Sequence, residues 1–241
     1  MAPEPFTSDR FGFPMLWIDC IGAYLQVLPV TKVQLEYFLC DARDGHFERK
    51  WYDSVLQLNP RTTARRIWRD NYWQAFATGL LPSESERVAA WCGSGYRLPT
   101  KTEWVGAFAE LRAHSDLNLL STAAKWAKDD RARELLGRLD LALRDAASTS
   151  GLRPGGEVLS AMRLGAMEWV RLEFGEPGRW GALGEPNPRF FGNLLVPERG
   201  DLLARPEIDS ERHRAFGFRL VYDPRVAASA NHHGDDKGAP S

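Results

Sequence analysis

The stretch from Gly95 to Phe108, GYRLPTKTEWVGAF, constrains the fold more tightly than any other part of the chain. Thr100 stands three residues before Glu103, which is the spacing of a capping box, where each side chain bonds the other residue's backbone N–H at a helix start. Pro99 disfavours helical backbone at the residue before it, so the chain must enter this helix in an extended conformation. Trp104 follows at once, and later apolar residues at helical spacing predict an amphipathic helix.

Two other segments carry the same helix-start signal. Thr31 and Gln34 predict a helix over about residues 32–40, and Ser83 and Glu86 predict a second helix that ends at Gly93. Leucines recur at helical spacing late in the segment 114–150, which predicts an added amphipathic helical region. This region could cover the core or present a face to another protein, and we expect the covering role because apolar stripes are usually buried within their own domain.

The remaining segments predict strands, turns and loops. Residues 15–27 are dense in β-branched and aromatic side chains, which predicts a strand or a hairpin. Residues 41–79 lack a sustained period and are expected to be mostly irregular, and the short apolar runs after residue 150 predict small strands and long loops. The predicted organisation is an N-terminal extension at 1–14, one domain at 15–224 and a disordered tail at 225–241.

Composition and charge argue against several classes of protein. Among 241 residues, Lys and Arg number 31 and Asp and Glu number 32, so there is no overall basic field and nucleic acid is not an expected partner. The apolar run at 11–30 contains Asp19 and two prolines, which favours buried strands over a membrane helix. Cys20, Cys40 and Cys92 are too scattered for a disulfide framework, so we expect free thiols in a cytoplasmic protein.

Four segments, in this order along the chain, resemble the formylglycine-generating-enzyme-like (sulfatase-modifying factor) family. They are PVTKVQLEYFL, AAWCGSGYRLPTKTEW, GAMEWV and AFGFRLVY, and together they extend from Pro29 to Tyr222. The resemblance implies an α+β fold of the C-type-lectin-like kind, with small antiparallel sheets, flanking helices and long loops. The helical segment at 114–150 would be an addition to that fold.

The resemblance also implies a set of structural signature residues. It places Arg97 and Glu103 in a polar network and Trp104 in the core. The full set is Thr31, Arg97, Pro99, Thr100, Glu103, Trp104, Glu168, Trp169, Gly217 and Arg219.

The metal ligands of the active family members have no counterpart here. Those members oxidise a cysteine with copper held by a cysteine pair near the C-terminus, whereas none of residues 93–241 is a cysteine. Relatives that use iron hold it with three histidines, whereas His46, His114 and His213 are isolated in this sequence. Leu164 and Gly165 align with the asparagine of a family calcium site. We therefore expect no metal, no cofactor and no catalytic residues.

The expected function is that of a non-catalytic binding or scaffold module that recognises another protein or a ligand, in a bacterial defence or signalling system. Aromatic and arginine side chains dominate binding hot spots, so those near the C-terminus are the candidate contacts. These residues are Trp180, Asn187, Arg189, Phe190, Phe191, Arg199 and Arg212. For the two phenylalanines, burial in a core strand is an equal alternative.

Two other functions remain open at this point. The chain could be an enzyme of a different type, because carboxylates in the segment 201–211 lie close in sequence to His213 and could act in acid–base catalysis. A solvated loop explains such a run of charges as well. The chain could also be a subunit of a complex whose partner supplies catalysis.

Overall fold

Short strands and helices follow one another in groups along the chain in the computed structural model of the protein. The structure describes residues 3–41, 49–60, 63–68, 71–113, 119–150, 167–173, 180–184, 212 and 216–232. The helices are α1 (Lys32–Asp41), α2 (Arg49–Leu58), α3 (Pro82–Cys92), α4 (Lys101–Ala113), α5 (Leu119–Lys125), α6 (Asp130–Ser150) and α7 (Pro224–His232). The strands are β1 (Phe6–Ser8), β2 (Pro14–Ile18), β3 (Ala23–Gln26), β4 (Tyr96–Arg97), β5 (Met167–Arg171), β6 (Trp180–Leu183), β7 (Phe216–Gly217) and β8 (Val221–Tyr222).

The strands form two small sheets. The five-stranded sheet has the order β1-β2-β3-β8-β4 and is antiparallel throughout. The three-stranded sheet has the order β6-β5-β7, with β6 antiparallel and β7 parallel to β5. The predicted hairpin at residues 15–27 is confirmed as β2 and β3. The protein is thus an α+β protein with small antiparallel and mixed sheets, which confirms the predicted fold class at this level.

Two of the predicted capping boxes are confirmed. At α1, the Thr31 N–H donates to Gln34 Oε1 at 2.7 Å, and the Gln34 N–H donates to Thr31 Oγ1 at 3.3 Å. At α4, the Thr100 N–H donates to Glu103 Oε2 at 2.8 Å, and the Glu103 N–H donates to Thr100 Oγ1 at 3.2 Å. Both helices begin one residue after the capping threonine, because the box closes within three residues and needs no distant partner.

The third predicted box is wrong by two residues. Helix α3 begins at Pro82, and the Leu81 N–H donates to the carboxylate of Glu84 at 2.8 Å. Proline suits the first helical position because its missing N–H would have no partner there. Glu86, predicted as the capping residue, instead forms an ion pair with Arg171 on β5.

The segment 41–79, predicted to be mostly irregular, contains helix α2 and two short 3₁₀ turns at Ala64–Arg66 and Tyr72–Ala75. Helix α2 buries Val55 in the core. The segment lacks a sustained apolar period because α2 buries little more than Val55, and this is why it was predicted to be irregular.

Both predicted chain ends need correction. Residues 1–14 are not an extension outside the domain, because β1 pairs with β2 and the side chains of Phe6, Phe11 and Phe13 are buried in the core. The tail predicted to be disordered from residue 225 begins instead with helix α7. Its first turn is capped by the Asp223 carboxylate, which accepts from the Arg225 N–H at 3.0 Å.

The helical region at 119–150 covers the core. Leu135, Leu136, Leu139 and Leu143 on α6 are at most 2% exposed and belong to the main hydrophobic cluster. The predicted apolar stripe is therefore buried inside the protein, as expected for the covering role. Residues 114–118 lie outside the described residues.

A buried ion pair ties the two sheets together. Arg219, between β7 and β8, donates through Nε to both carboxylate oxygens of Glu168 on β5 at 2.9 Å. Its Nη1 donates to the Val27 carbonyl, just after β3, at 2.8 Å. The Trp104 indole N–H also donates to Glu168, at 3.1 Å. These contacts fix α4, β3 and β5 relative to one another.

Candidate functional site

A cleft of about 410 Å³ opens on the surface where four segments of the chain meet. Its lining consists of Arg10, Phe11, Tyr37, Cys40, Asp41, Trp91 and Asp129. The first two belong to the β1–β2 turn, the next three to the last turns of α1, the tryptophan to the end of α3 and the last aspartate to the turn before α6. The cleft therefore combines three aromatic rings with three formally charged side chains.

Helix spacing explains the α1 wall of the cleft. Tyr37, Cys40 and Asp41 stand at positions i, i+3 and i+4, so they share one helix face. The opposite side of α1 carries Leu35 and Phe38, which are buried in the core. Because the apolar side chains of α1 are buried in the core, the face that the helix presents to solvent is mixed polar and aromatic.

One end of the cleft is built by Arg10, Trp91 and Asp41. The Arg10 guanidinium carbon lies 4.1 Å from the centre of the Trp91 ring, which is cation–π contact. Arg10 Nη2 and Trp91 Nε1 both donate to Asp41 Oδ2, at 3.1 and 2.8 Å. The arginine and aspartate side chains remain 47% and 56% exposed, so this cluster is reachable from solvent.

The other end contains Tyr37 and Asp129. The Tyr37 hydroxyl donates to Asp129 Oδ2 at 2.6 Å, and Asp129 Oδ1 accepts the Ala132 N–H at 3.0 Å. Burial alone would raise the pKa of Asp129, but these hydrogen bonds outweigh burial and lower its pKa. The guanidinium of Arg131 lies 5.3 Å from the Tyr37 ring centre. This end therefore holds an ionised carboxylate beside an aromatic ring.

A buried carboxylate anchors the turn that carries Arg10. Asp9 is 5% exposed, and its Oδ1 accepts the N–H groups of Phe11 and Phe13 at 2.9 and 2.8 Å. Its Oδ2 accepts from the side-chain amides of Gln26 and Gln34, both at 2.8 Å. Both amides are fixed in this orientation because their oxygens accept other N–H groups. Burial raises the pKa of Asp9 to about 6, although the four hydrogen bonds each act to lower it.

The three cysteines have different surroundings. Cys40 lines the cleft and is exposed, as is Cys20 on the β2–β3 turn. Cys92 is buried in the core as predicted, and burial raises the pKa of its thiol well above the usual range. All three are free thiols, so no disulfide constrains the cleft.

The predicted contact residues lie away from this cleft or outside the described residues. Trp180 begins β6 at the edge of the small sheet, half-buried against the core, with the Arg171 guanidinium 5.6 Å from its ring centre. Arg212 does not line the cleft, and its two terminal nitrogens donate to Glu84 at 2.6 Å, so its role as a partner contact stays a prediction. Outside the described residues lie Asn187, Arg189, Phe190, Phe191 and Arg199, together with 201–211 and His213.

The signature residues lie in the interior and near the two sheets. Arg97 and Glu103 form a bidentate pair with both N–O distances at 2.6 Å, and this pair is half-buried. Trp104 and Trp169 are buried, and the Trp169 indole donates to the Leu80 carbonyl at 2.8 Å. Gly217 lies on β7, opposite Glu168 of β5. Pro99 accepts the Arg171 N–H through its carbonyl at 2.8 Å.

Fold and cleft together define an α+β protein with a surface site of aromatic and charged side chains. Comparison with protein-family models, with curated proteins and with solved structures finds no match. In the described part of the chain, no three His, Cys, Asp or Glu side chains form a group that could hold a metal ion. Nor does any helix among those residues combine the length and apolar character needed to cross a membrane.

Sequence reasoning did not find the cleft. Its residues come from positions as far apart as 10 and 129. Spacing along the sequence therefore does not indicate that these residues lie together in the fold. The only local signal is that Tyr37 and Cys40 share one face of the helix predicted over about 32–40, and Asp41 lies one residue beyond that predicted end.

Proposed function

We propose that the protein is a non-catalytic binding or scaffold module that recognises another protein through the cleft between α1, α3 and the β1–β2 turn. The observation that supports this proposal most directly is the lining of the cleft, where Trp91 and Tyr37 are of the aromatic types enriched in binding hot spots. Phe11 and Arg10 stand beside them. They stand on helices and a tightly bonded turn, and a rigid support reduces the entropy lost on binding.

The arrangement of charges in the cleft favours recognition over catalysis. Arg10 bonds Asp41 and Tyr37 bonds Asp129, so these polar groups already have hydrogen-bond partners within the protein. A general acid or base needs a pKa near the working pH, whereas the pKa of Asp129 is lowered. The enzyme hypothesis based on 201–211 and His213 concerns residues outside the described part.

We further propose that the fold is of the formylglycine-generating-enzyme-like, C-type-lectin-like kind. Support comes from contacts among the segments that carry the resemblance. Glu168 of GAMEWV pairs with Arg219 of AFGFRLVY, and Trp104 of the RLPTKTEW segment donates to the same carboxylate. Absence of the copper-binding cysteine pair in residues 93–241 supports a member without that chemistry. The three free thiols agree with a reducing cytoplasm.

The experiment is affinity purification of the full chain from its native host, followed by mass spectrometry, with two matched variants. Trp91→Phe combined with Asp41→Asn changes the cleft, while Trp68→Ala removes a tryptophan that is 62% exposed and does not line it. We expect a stoichiometric protein partner that the cleft variant loses and the control variant keeps. A partner that the cleft variant keeps, or turnover of a small molecule by the monomeric chain, would contradict the proposal.

A further inference from the structure

The cleft carries an excess of negative charge. Its lining holds one cation, Arg10, and two carboxylates, Asp41 and Asp129, which gives a formal charge of −1. Arg131, beside the Tyr37 ring, does not change this sum because it pairs with Glu36 at 2.9 Å. Asp41 is 56% exposed and receives both of its described hydrogen bonds at Oδ2. A cationic group from solvent can therefore reach the Asp41 carboxylate, although Arg10 already pairs with it.

Two rings of the cleft already carry guanidinium groups on their faces. Arg10 lies over Trp91 at 4.1 Å and Arg131 lies near the Tyr37 ring at 5.3 Å. An aromatic face attracts arginine, lysine and quaternary ammonium groups, and a carboxylate beside it adds charge attraction. The contacts of Arg10 and Arg131 thus indicate that the aromatic rings of the cleft bind guanidinium groups.

Resting on the proposed function, we propose that the cleft binds the cationic side chain of an arginine or lysine in a basic segment of the partner protein, and that Arg10 occupies part of this site in the free protein. An incoming cation would share the Trp91 face and the Asp41 carboxylate with Arg10 or displace it. Asp129 would supply the second carboxylate, next to the Tyr37 ring.

Arg10 is suited to displacement because its contacts are exposed. Its side chain is 47% exposed, and an exposed ion pair contributes a factor of about five or less to an equilibrium. Its Nη1 also donates to the Trp91 carbonyl at 2.5 Å, a second exposed contact that water or an incoming cation can replace. The backbone that carries it is held separately, by the hydrogen bonds of Asp9 to Phe11 and Phe13. The side chain can therefore move while the turn keeps its conformation.

The test uses the purified full chain and three short acetylated peptides, read by isothermal titration calorimetry at low salt. The peptides carry one arginine, one citrulline or one glutamate at the same position, so arginine and citrulline differ mainly in charge. We expect the arginine peptide to bind at least about fivefold more tightly than the citrulline peptide, with the glutamate peptide weakest. Raising the salt concentration should weaken arginine binding most.

Variants locate the binding to the cleft. Asp41→Asn should weaken arginine binding about fivefold, while Asp130→Asn, a change at a 93% exposed aspartate next to Asp129, should leave it unchanged. Arg10→Met, which keeps the apolar stem, should strengthen arginine binding several-fold. Circular dichroism and thermal unfolding of each variant check that the fold is retained.

The outcomes separate this inference from the proposed function. Equal binding of arginine and citrulline peptides, or tighter binding of the glutamate peptide, overturns the cationic assignment even if the native partner still depends on the cleft. Unchanged arginine binding in Asp41→Asn also overturns it. Retention of the native partner by the Trp91 and Asp41 variant overturns the proposed function, whatever the peptides do.

Discussion

Replacing Glu168 by glutamine tests the buried ion pair that joins the two sheets. Both carboxylate oxygens accept from Arg219 Nε at 2.9 Å, and one also accepts from Trp104 at 3.1 Å. Glutamine has only one acceptor oxygen there, and its amide group would face the remaining donor. The Arg219 and Glu168 side chains are 0% and 1% exposed, so water cannot replace the lost partner.

The expected loss follows from that burial. Removing one partner of a buried pair costs about 3–5 kcal/mol, which is a large share of the about 5–15 kcal/mol that stabilises a folded domain. In a chain of this size, each kcal/mol lowers the unfolding temperature by about 2–4 °C, so Glu168→Gln should lower it by about 10 °C. Urea unfolding followed by tryptophan fluorescence gives the free energy of unfolding.

Glu86→Gln is the matched control. It removes a carboxylate that bonds Arg171 on the same strand, but there the two side chains are 23% and 44% exposed, so the loss should not exceed about 1 kcal/mol. A second variant with Glu168→Gln and Arg219→Met should lose less than the sum of the two single changes, because neither charge is left alone. If Glu168→Gln unfolds at the same urea concentration as Glu86→Gln, the assignment of a stabilising buried pair is wrong.

Three other predictions concern single groups. Burial raises the pKa of Asp9 to about 6, above the usual aspartate pKa of 3.8. Its contribution to stability is therefore complete below pH 3.8 and is lost as the pH rises through 6, by up to about 3 kcal/mol. A carboxyl carbon resonance of Asp9 that titrates near pH 4 by NMR would contradict this. At pH 8, a thiol reagent should modify Cys40 first and Cys20 slowly, since burial and Glu110 raise the pKa of Cys20 to about 11, while Cys92 should react only on unfolding. Faster labelling of Cys92 than Cys40, read by peptide mass spectrometry, would disprove the assigned burial. Thr100→Ala should cost about 1 kcal/mol in urea unfolding because it removes the cap of α4, and an unchanged midpoint would refute the capping role.

Local signals predicted the parts of the fold that short-range contacts determine. The capping boxes at Thr31 and Thr100 close within three residues, so the sequence alone carries the whole interaction. The leucine stripe of α6 was predicted for the same reason, because helical spacing places its members on one face. We expected this stripe to cover the core because apolar helix faces are usually buried within their own domain.

Long-range contacts explain the errors. The N-terminal residues were assigned to an extension because nothing local shows that Asp9 bonds Gln26 and Gln34, 17 and 25 residues later. The start of α3 was misplaced because Ser83 and Glu86 have the right spacing, whereas Pro82 and Glu84 define the actual first turn. The cleft was missed because Arg10 and Trp91, 81 residues apart, meet only after the core has formed.

The central claim, that the protein binds its partner at this cleft, is tested most directly by site-specific photo-crosslinking in the native host. A benzophenone amino acid would replace Tyr37 in the cleft, Trp68 on an exposed turn or Trp180 at the edge of the small sheet. Our account predicts that the probe at Tyr37 forms a covalent adduct with one protein and that the adduct maps to a basic segment of that protein. Adducts only from Trp68 or Trp180, with none from Tyr37, would contradict it.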